Sequence, residues 1–266
     1  MFTISSDPEF ICMDSNGKPK SVIDLLGGSK SEPKKTKNGF VQEDGVVGEI
    51  NPIPADNIID FVRNQQLNLQ DLKDIIACHN LFVSEKTSDI YTLTDLFHPS
   101  ATLSGCDPDI NAYTGRENPG PDLEDTNKRW TGGHLHIGWG HTDYAEKVAL
   151  IKALDITLGL PSVSLDTDRE RRKAYGYAGS YRPQEVADGK QYNGVEYRVL
   201  SSFWIHKPEL LSWVFKGVEK AMKLKNKMGM LRGIEDDVQK AINTYDTELA
   251  KSLLSSLQLQ ERLNAT

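Results

Sequence analysis

One stretch constrains this chain more than any other: residues 131–141, Thr-Gly-Gly-His-Leu-His-Ile-Gly-Trp-Gly-His. Side chains alternate faces along a strand, so His134, His136 and Gly138 stand on one side and Leu135, Ile137 and Trp139 on the other. The apolar side requires a core. Two imidazoles two residues apart then face away from it, flanked by glycines that let a ligand or another backbone approach closely. An isolated His-x-His is as often a hydrogen-bonded pair as a metal or magnesium-nucleotide site, so its meaning depends on the rest of the chain.

That rest divides into strand and helix signals. Residues 6–14 read as a strand opened through Pro8, with Asp7 and Glu9 on one face, where two carboxylates need solvent or a cation between them. The segment 27–38, rich in Gly, Ser, Lys and Pro, reads as a mobile surface loop with solvated lysines. Asp44-Gly45 marks a turn, and 46–51 a strand with Glu49 and Asn51 on one face. From Pro54, Ile58, Phe61, Val62, Leu72 and Ile76 recur at helical spacing behind Asp56 or Asn57 as cap. Residues 105–113 repeat the acidic-Pro-acidic pattern of the N-terminus and predict a strand carrying Asp107 and Asp109. A helix is expected over 143–160, stopped by Gly159 and Pro161. Residues 168–183 gather Arg169, Arg171, Arg172 and Arg182 with tyrosines and glycines in a loop, read either as an anion clamp or as a solvent-facing charged turn. Residues 194–200 form a strand with Glu196 and Arg198 on one face. Helices are expected over 209–228 and 234–263, the last with an apolar stripe of Val238, Ile242, Tyr245, Leu249, Leu253 and Leu257 that serves as a cap or a partner surface.

Four strands thus carry polar i, i+2 pairs: Asp7/Glu9, Glu49/Asn51, His134/His136 and Glu196/Arg198. The economical assembly is a sheet with helices on one face and the polar pairs on the other, with C-terminal helices beyond. Carboxylates gathered there repel without cations, and carboxylate oxygens with an imidazole suit Mg²⁺ or Mn²⁺.

Ser-Asp-Pro-Glu-Phe, Gly-Gly-His-Leu-His-Ile-Gly and Gly-Val-Glu-Tyr-Arg, in that order, resemble the catalytic domain of the glutamine synthetase and glutamate-cysteine ligase superfamily. They resemble most its phage-borne carboxylate-amine ligases of type 2, the amidoligases. The resemblance runs from about residue 6 to 204, leaving the two terminal helices outside. It implies an α+β fold, a curved antiparallel sheet with helices on one face, whose concave face binds ATP with Mg²⁺ or Mn²⁺, with Glu9, Glu49, His134 and Glu196 as metal ligands. It also implies His136 near the nucleotide phosphates and Arg198 on phosphate or a developing acyl phosphate. Asp7 departs from the synthetases, which have glutamate there. Catalytic roles fall to Arg198, Glu196 and His136, and nucleotide contacts to His136, Arg182, Arg198 and Arg172. The domains expected are 1–207, catalytic, and 208–266, a helical extension.

The implied reaction joins a small-molecule or peptide carboxylate to an amine. Three other readings share these residues. A guanidino kinase needs the same ATP-metal face. A His-x-His metal hydrolase needs a third ligand, for which only His141 follows closely. A nonenzymatic binding or virion-associated protein would use the C-terminal helices for contacts, and the same stripe would serve a homo-oligomer. A formal charge of −7 argues against nucleic acid as partner. Scattered Cys12, Cys78 and Cys106 fit a reducing cytoplasm, that of a bacterial host if the chain is phage-encoded. No stretch approaches the roughly 20 apolar residues of a membrane span, and the N-terminus lacks a leader pattern.

Overall fold

A computed structural model of the chain describes all residues except 102–108, 121–122, 124–125, 141–142, 170, 185–192 and 258–266. Its N-terminal half runs β1 (Thr3–Ser6), β2 (Glu9–Phe10), β3 (Cys12–Met13), β4 (Pro19–Lys20), β5 (Lys34–Lys35), β6 (Gly39–Asp44), β7 (Val47–Pro52), α1 (Ile58–Ala77), β8 (Phe82–Val83) and β9 (Ser88–Ile90). The second half runs β10 (Ile110–Asn111), β11 (Lys128–Trp130), β12 (Leu135–Gly138), α2 (Tyr144–Leu154), α3 (Leu160–Leu165), β13 (Ser180–Gln184) and β14 (Gly194–Tyr197). It closes with α4 (Pro208–Leu224), α5 (Glu235–Thr244) and α6 (Thr247–Ser256).

Two antiparallel sheets position everything that follows. Five strands in the order β1-β12-β14-β13-β10 form one, and four in the order β2-β7-β6-β5 form the other. α2 covers β13 and β14, and α1 covers β6 and β7. Leu135, Ile137, Val195 and Tyr197 point into the core, as the alternation requires, and the α+β expectation holds.

The chain steps from one sheet to the other at Asp7-Pro8. The expected single strand over 6–14 is therefore broken: β1 ends at Ser6, and Pro8, having no N–H for a ladder, offers only its carbonyl, to Ile50 N at 3.2 Å. The hairpin β6–β7 turns at Gly45, whose φ of +56° is the left-handed conformation that favours glycine. α1 starts where expected, with Asn57 Oδ1 accepting from Asp60 N at 2.9 Å. Within 27–38, Lys34–Lys35 pair with β6 as an edge strand.

Gly159 and Pro161 do not stop the second helix. Instead α2 passes through a π-helical turn, Asp155–Gly159, into α3. In an unbroken α-helix the Pro161 ring would strike the carbonyl four residues back. The wider turn accommodates it, and Leu160 N–H bonds Asp155 O instead. Gly159 is small for packing: a Cβ there would lie 2.7 Å from Ile242 Cδ1 and 2.9 Å from the Tyr197 hydroxyl. The merged run Tyr144–Leu165 is long and apolar enough to cross a membrane by length and composition, which corrects the expectation that no stretch is. Its apolar residues are covered because it lies between the sheet and α4, with 67% of its apolar window buried, while Glu146 and Lys152 pair with Lys225 and Glu235.

The C-terminal stripe is spent on the chain's own core. Val238, Ile242, Tyr245 and Leu253 are buried in the cluster that holds Leu135, Val195 and Tyr197, as are Leu211, Val214 and Val218 of α4. One core therefore crosses the boundary expected at 207/208. The single helix expected over 234–263 is two, parted at Tyr245 with φ +54°; Leu263 lies outside the described residues. So do Asp107, Cys106 and His141. Of the strand expected over 105–113, Ile110–Asn111 is present.

Candidate active site

Antiparallel register lines up one row of polar side chains across the large sheet. Ser5 pairs with His136, His136 with Glu196, and Glu196 with Arg182. Across the step at Asp7-Pro8, Glu9 pairs directly with Glu49, and Glu49 with Gln42. The predicted pairs therefore do meet on one side of the two sheets.

They fall into two carboxylate groups. In the first, oxygens of Glu9, Asp44 and Glu49 lie within 4.8 Å of one another, and in the second a nitrogen of His136 lies within the same span of Asp7 and Glu196 oxygens. His134 borders the second group, with Nδ1 3.4 Å from both Asp7 Oδ1 and Glu196 Oε1. Asp7 and Glu9, two residues apart, serve different groups because the chain changes sheets between them. Glu9 Oε2 accepts from Gly132 N at 2.6 Å, and Glu49 Oε1 accepts from Gln42 and Asn51 amides at 2.9 and 3.0 Å. Gly132 and Gly133 give room to the protein itself rather than to a ligand, since a Cβ on either would meet the His134 ring or the Ser201 backbone.

The electrostatics of the two groups differ. Burial, with the neighbouring charge of Asp44, pushes Glu9 up to about 8, and burial with the charges of Asp7, Asp44 and Glu9 pushes Glu49 well above the carboxylate range. Asp44 is raised by burial too. In the second group burial would raise Asp7, but His136 and His134 hold it well below its usual value. Burial and Asp7 likewise raise Glu196, but Arg198 and the two histidines outweigh them and lower it. Burial would depress His136, yet Asp7 and Glu196 carry it to about 9, while burial and Arg198 take His134 down to about 4. The first group is short of positive charge.

Arg198 is the hub. Its guanidinium, 1% exposed, ion-pairs with Glu196, donates to the Tyr175 hydroxyl at 2.5 Å and reaches Asp109 Oδ2 at 3.4 Å. Arg182 Nη1 lies 3.8 Å from Glu196 Oε2. His136 contacts Asp7 Oδ2 at 3.2 Å and bonds the Gln184 amide through Nδ1.

Arg172, expected to contact nucleotide, is not on this side. It is fully buried behind the sheet, donating to Ile242 O and Ser162 Oγ and stacked on Tyr245 at 4.8 Å. Arg171 is equally buried and spends its guanidinium on the carbonyls of Thr131, Val199 and Leu200, each at 2.9 Å. Arg169 is exposed. Of the arginine cluster, Arg182 alone reaches the acidic groups. Sequence reasoning placed Asp109 on a strand face without a role, and missed Asp44 and Tyr175. The hairpin register contained a signal for Asp44: it stands two residues from Gln42, which opposes Glu49, and so shares that face.

Three comparisons bear on this arrangement. A family model described as phage phiEco32-like COOH·NH2 ligase-type 2 matches residues 125–265, more than half of the chain, and the chain belongs to that family of carboxylate-amine ligases. The match takes in the C-terminal helices and begins after the N-terminal acidic motif. No curated protein sequence matches. Among solved structures, a crystal structure titled a novel glutamine synthase homolog is similar at TM-score 0.40 and 12% identity, over 100% of this chain and 68% of that one. A Plasmodium falciparum glutamine synthetase is similar at TM-score 0.40 and 12% identity, over 82% of this chain and 51% of that one. Likenesses of that size say nothing of activity.

Proposed function

We propose that the chain is an ATP-dependent ligase that uses Mg²⁺ or Mn²⁺ and activates a carboxylate as its acyl phosphate before an amine attacks it. The observation that carries this is the pair of carboxylate groups beside Arg198. Glu9 and Glu49 are buried beside half-buried Asp44, and all three are pushed toward protonation, a cost that a divalent cation removes. Glu9, Asp44 and Glu49 would hold one cation, and Asp7, Glu196 and the neighbouring histidines a second. Asp44 thus joins the expected ligands Glu9, Glu49, His134 and Glu196. Bound cations would supply neutralisation of polyphosphate charge.

The remaining work belongs to the chain. Arg198, fixed by Glu196, Asp109 and Tyr175, stabilises charge as the γ-phosphoryl group passes to a substrate carboxylate oxygen and ADP leaves. His136 and Arg182 face the same space and orient phosphate oxygens. The amine then forms the C–N bond and inorganic phosphate departs. Small-molecule and peptide carboxylates and amines are the substrate classes. Such a reaction belongs in a cytoplasm, that of the bacterial host where the chain is phage-encoded.

Hydroxylamine tests the reaction class. Supplied with ATP and Mg²⁺ across a panel of carboxylates, the enzyme should give a hydroxamate in step with ADP. Arg198→Ala should lose turnover by about a hundredfold or more, with a smaller loss of nucleotide affinity. Phosphate on a guanidine without any hydroxamate would select the kinase reading instead. Hydrolysis without ATP would select the hydrolase, and no nucleotide binding at all the nonenzymatic one.

A further inference from the structure

Tyr175 lies in no expected role, yet it touches more of the site than any of the arginines before it. The chain brings it there by a tight turn: Gly176, at φ +76°, has no room for a Cβ, which would lie 2.9 Å from Val199 O and against the Arg171 guanidinium. Arg171 in turn is tied to Thr131 O, Val199 O and Leu200 O, the backbone just outside the histidine and Glu196 strands. Farther along the loop, Ala178 N donates to Asn243 Oδ1 of α5 at 2.7 Å. The Tyr175 ring therefore stands on a braced support, over the guanidiniums of Arg171 at 4.7 Å and Arg198 at 5.5 Å, and edge-on to His134 at 5.8 Å. A π face so placed offsets part of the cost of burying two cations.

The hydroxyl is more specific than the ring. It accepts from Arg198 Nη2 and bonds His134 Nε2, the imidazole nitrogen turned away from the carboxylates. On the other side, His134 Nδ1 lies 3.3 Å from Arg198 Nη1, which can only donate. Asp7 Oδ1 and Glu196 Oε1 each lie 3.4 Å from the same nitrogen. A guanidinium N–H against Nδ1 calls for a bare lone pair there, which puts the ring proton on Nε2, where the Tyr175 oxygen takes it. A histidine can ligate a cation only through a nitrogen that carries no proton, and the bond at its other nitrogen decides which that is.

We infer that Tyr175 is the positioning residue that fixes His134 in its Nε2–H form, with the Nδ1 lone pair toward Asp7 and Glu196. The same oxygen holds Arg198 beside it, so that the second cation position and the guanidinium are set as one unit. The inference about cation binding rests on the ligase reading; the ring's tautomer does not.

Tyr175→Phe deletes one oxygen and keeps the ring, and Tyr177→Phe is its control, because the Tyr177 hydroxyl donates to Lys173 O outside the site. ¹⁵N spectra of the histidine rings, with His134 assigned by its loss in His134→Asn, should show Nε2 protonated in the unsubstituted protein and a mixed tautomer in Tyr175→Phe. Mn²⁺ alone, titrated by electron paramagnetic resonance, should bind Tyr175→Phe about 10- to 100-fold more weakly, and Tyr177→Phe should match the unsubstituted protein in both. A ring protonated on Nδ1 in the unsubstituted protein, or a folded Tyr175→Phe with unchanged spectra and unchanged Mn²⁺ affinity, overturns the role of Tyr175. Absence of Mn²⁺ binding in the unsubstituted protein, with the tautomers as stated, overturns the cation reading alone and leaves the placement of the ring standing.

Discussion

The two sides of β14 bury acid in opposite ways. Toward the open face, Glu196 meets Arg198 and two histidines, while nearby Glu9, Asp44 and Glu49 meet mainly one another. Toward the core, Tyr197 donates its hydroxyl to Asp155 at 2.8 Å, and Asp155, fully buried, is pushed by burial to about 7. Asp155, bonded by the Tyr197 and Tyr113 hydroxyls and the Gly179 N–H and within the field of Arg172, is not grouped with other carboxyls among the described residues and can settle its charge by keeping a proton. The open face holds several carboxyls within reach of each other, where protons would satisfy them only at the expense of any cation. Raised carboxyls alone therefore do not mark a site; mutual proximity with a guanidinium beside them does.

The largest expected effect is on the pH dependence of stability without metal. Glu9 (about 8), Asp155 (about 7) and His136 (about 9) all stand above their ordinary values. Such groups contribute stability that is complete below their unfolded values and lost as pH rises through the folded ones. His134 and His206, both held down to about 4, act in the opposite sense, but only below about 6.5. Melting temperature should therefore fall as pH rises from about 6.5 to 9. Asp155→Asn should remove part of that fall, and Mg²⁺ another part; a flat profile in metal-free protein would break the comparison.

Next in size is the response to Mg²⁺ itself. At about a hundred times the dissociation constant, linkage stabilises a one-site protein by about 2.7 kcal/mol. Glu49→Gln should lose most of that thermal shift and Asp155→Asn none of it, read by calorimetry at one pH. Equal losses in the two variants would mean that the acids on the two sides do not differ as described. The smallest effect sharpens the arginine assignment. Arg169→Ala, at an exposed position, should stay within about 0.5 kcal/mol in stability and leave turnover unchanged.

What could be read from sequence was whatever depends on local period. The His134/His136 strand, the Asp44-Gly45 hairpin and α1 with its Asn57 cap follow from alternation, turn chemistry and capping, none of which needs a distant partner. Asp44 escaped because the turn already accounted for an aspartate before glycine. Arg171 and Arg172 misled for the converse reason: a run of arginines reads as an anion clamp or as exposed charge, and nothing local announces carbonyls at Thr131, Val199, Leu200 and Ile242 waiting to bury it. Tyr175 and Asp109 depend on Arg198, 23 and 89 residues away. Pro161 looked terminal because a stop is its commoner effect in a helix, and the compensating wide turn leaves no mark of its own in composition.

That wide turn also sets a phase. One residue more than an α-helical turn rotates everything after it by about 100° relative to an unbroken helix. Ser162, in α3, is thereby aimed at Arg172, while Lys147 and Leu150, in α2, keep the phase that suits the sheet. Removing one residue from 155–159 would restore a regular ladder and turn Ser162 off its guanidinium, unseating the segment on which Tyr175 stands. The extra residue is a gear tooth: it lets one helical run mesh with two layers whose pitches do not agree.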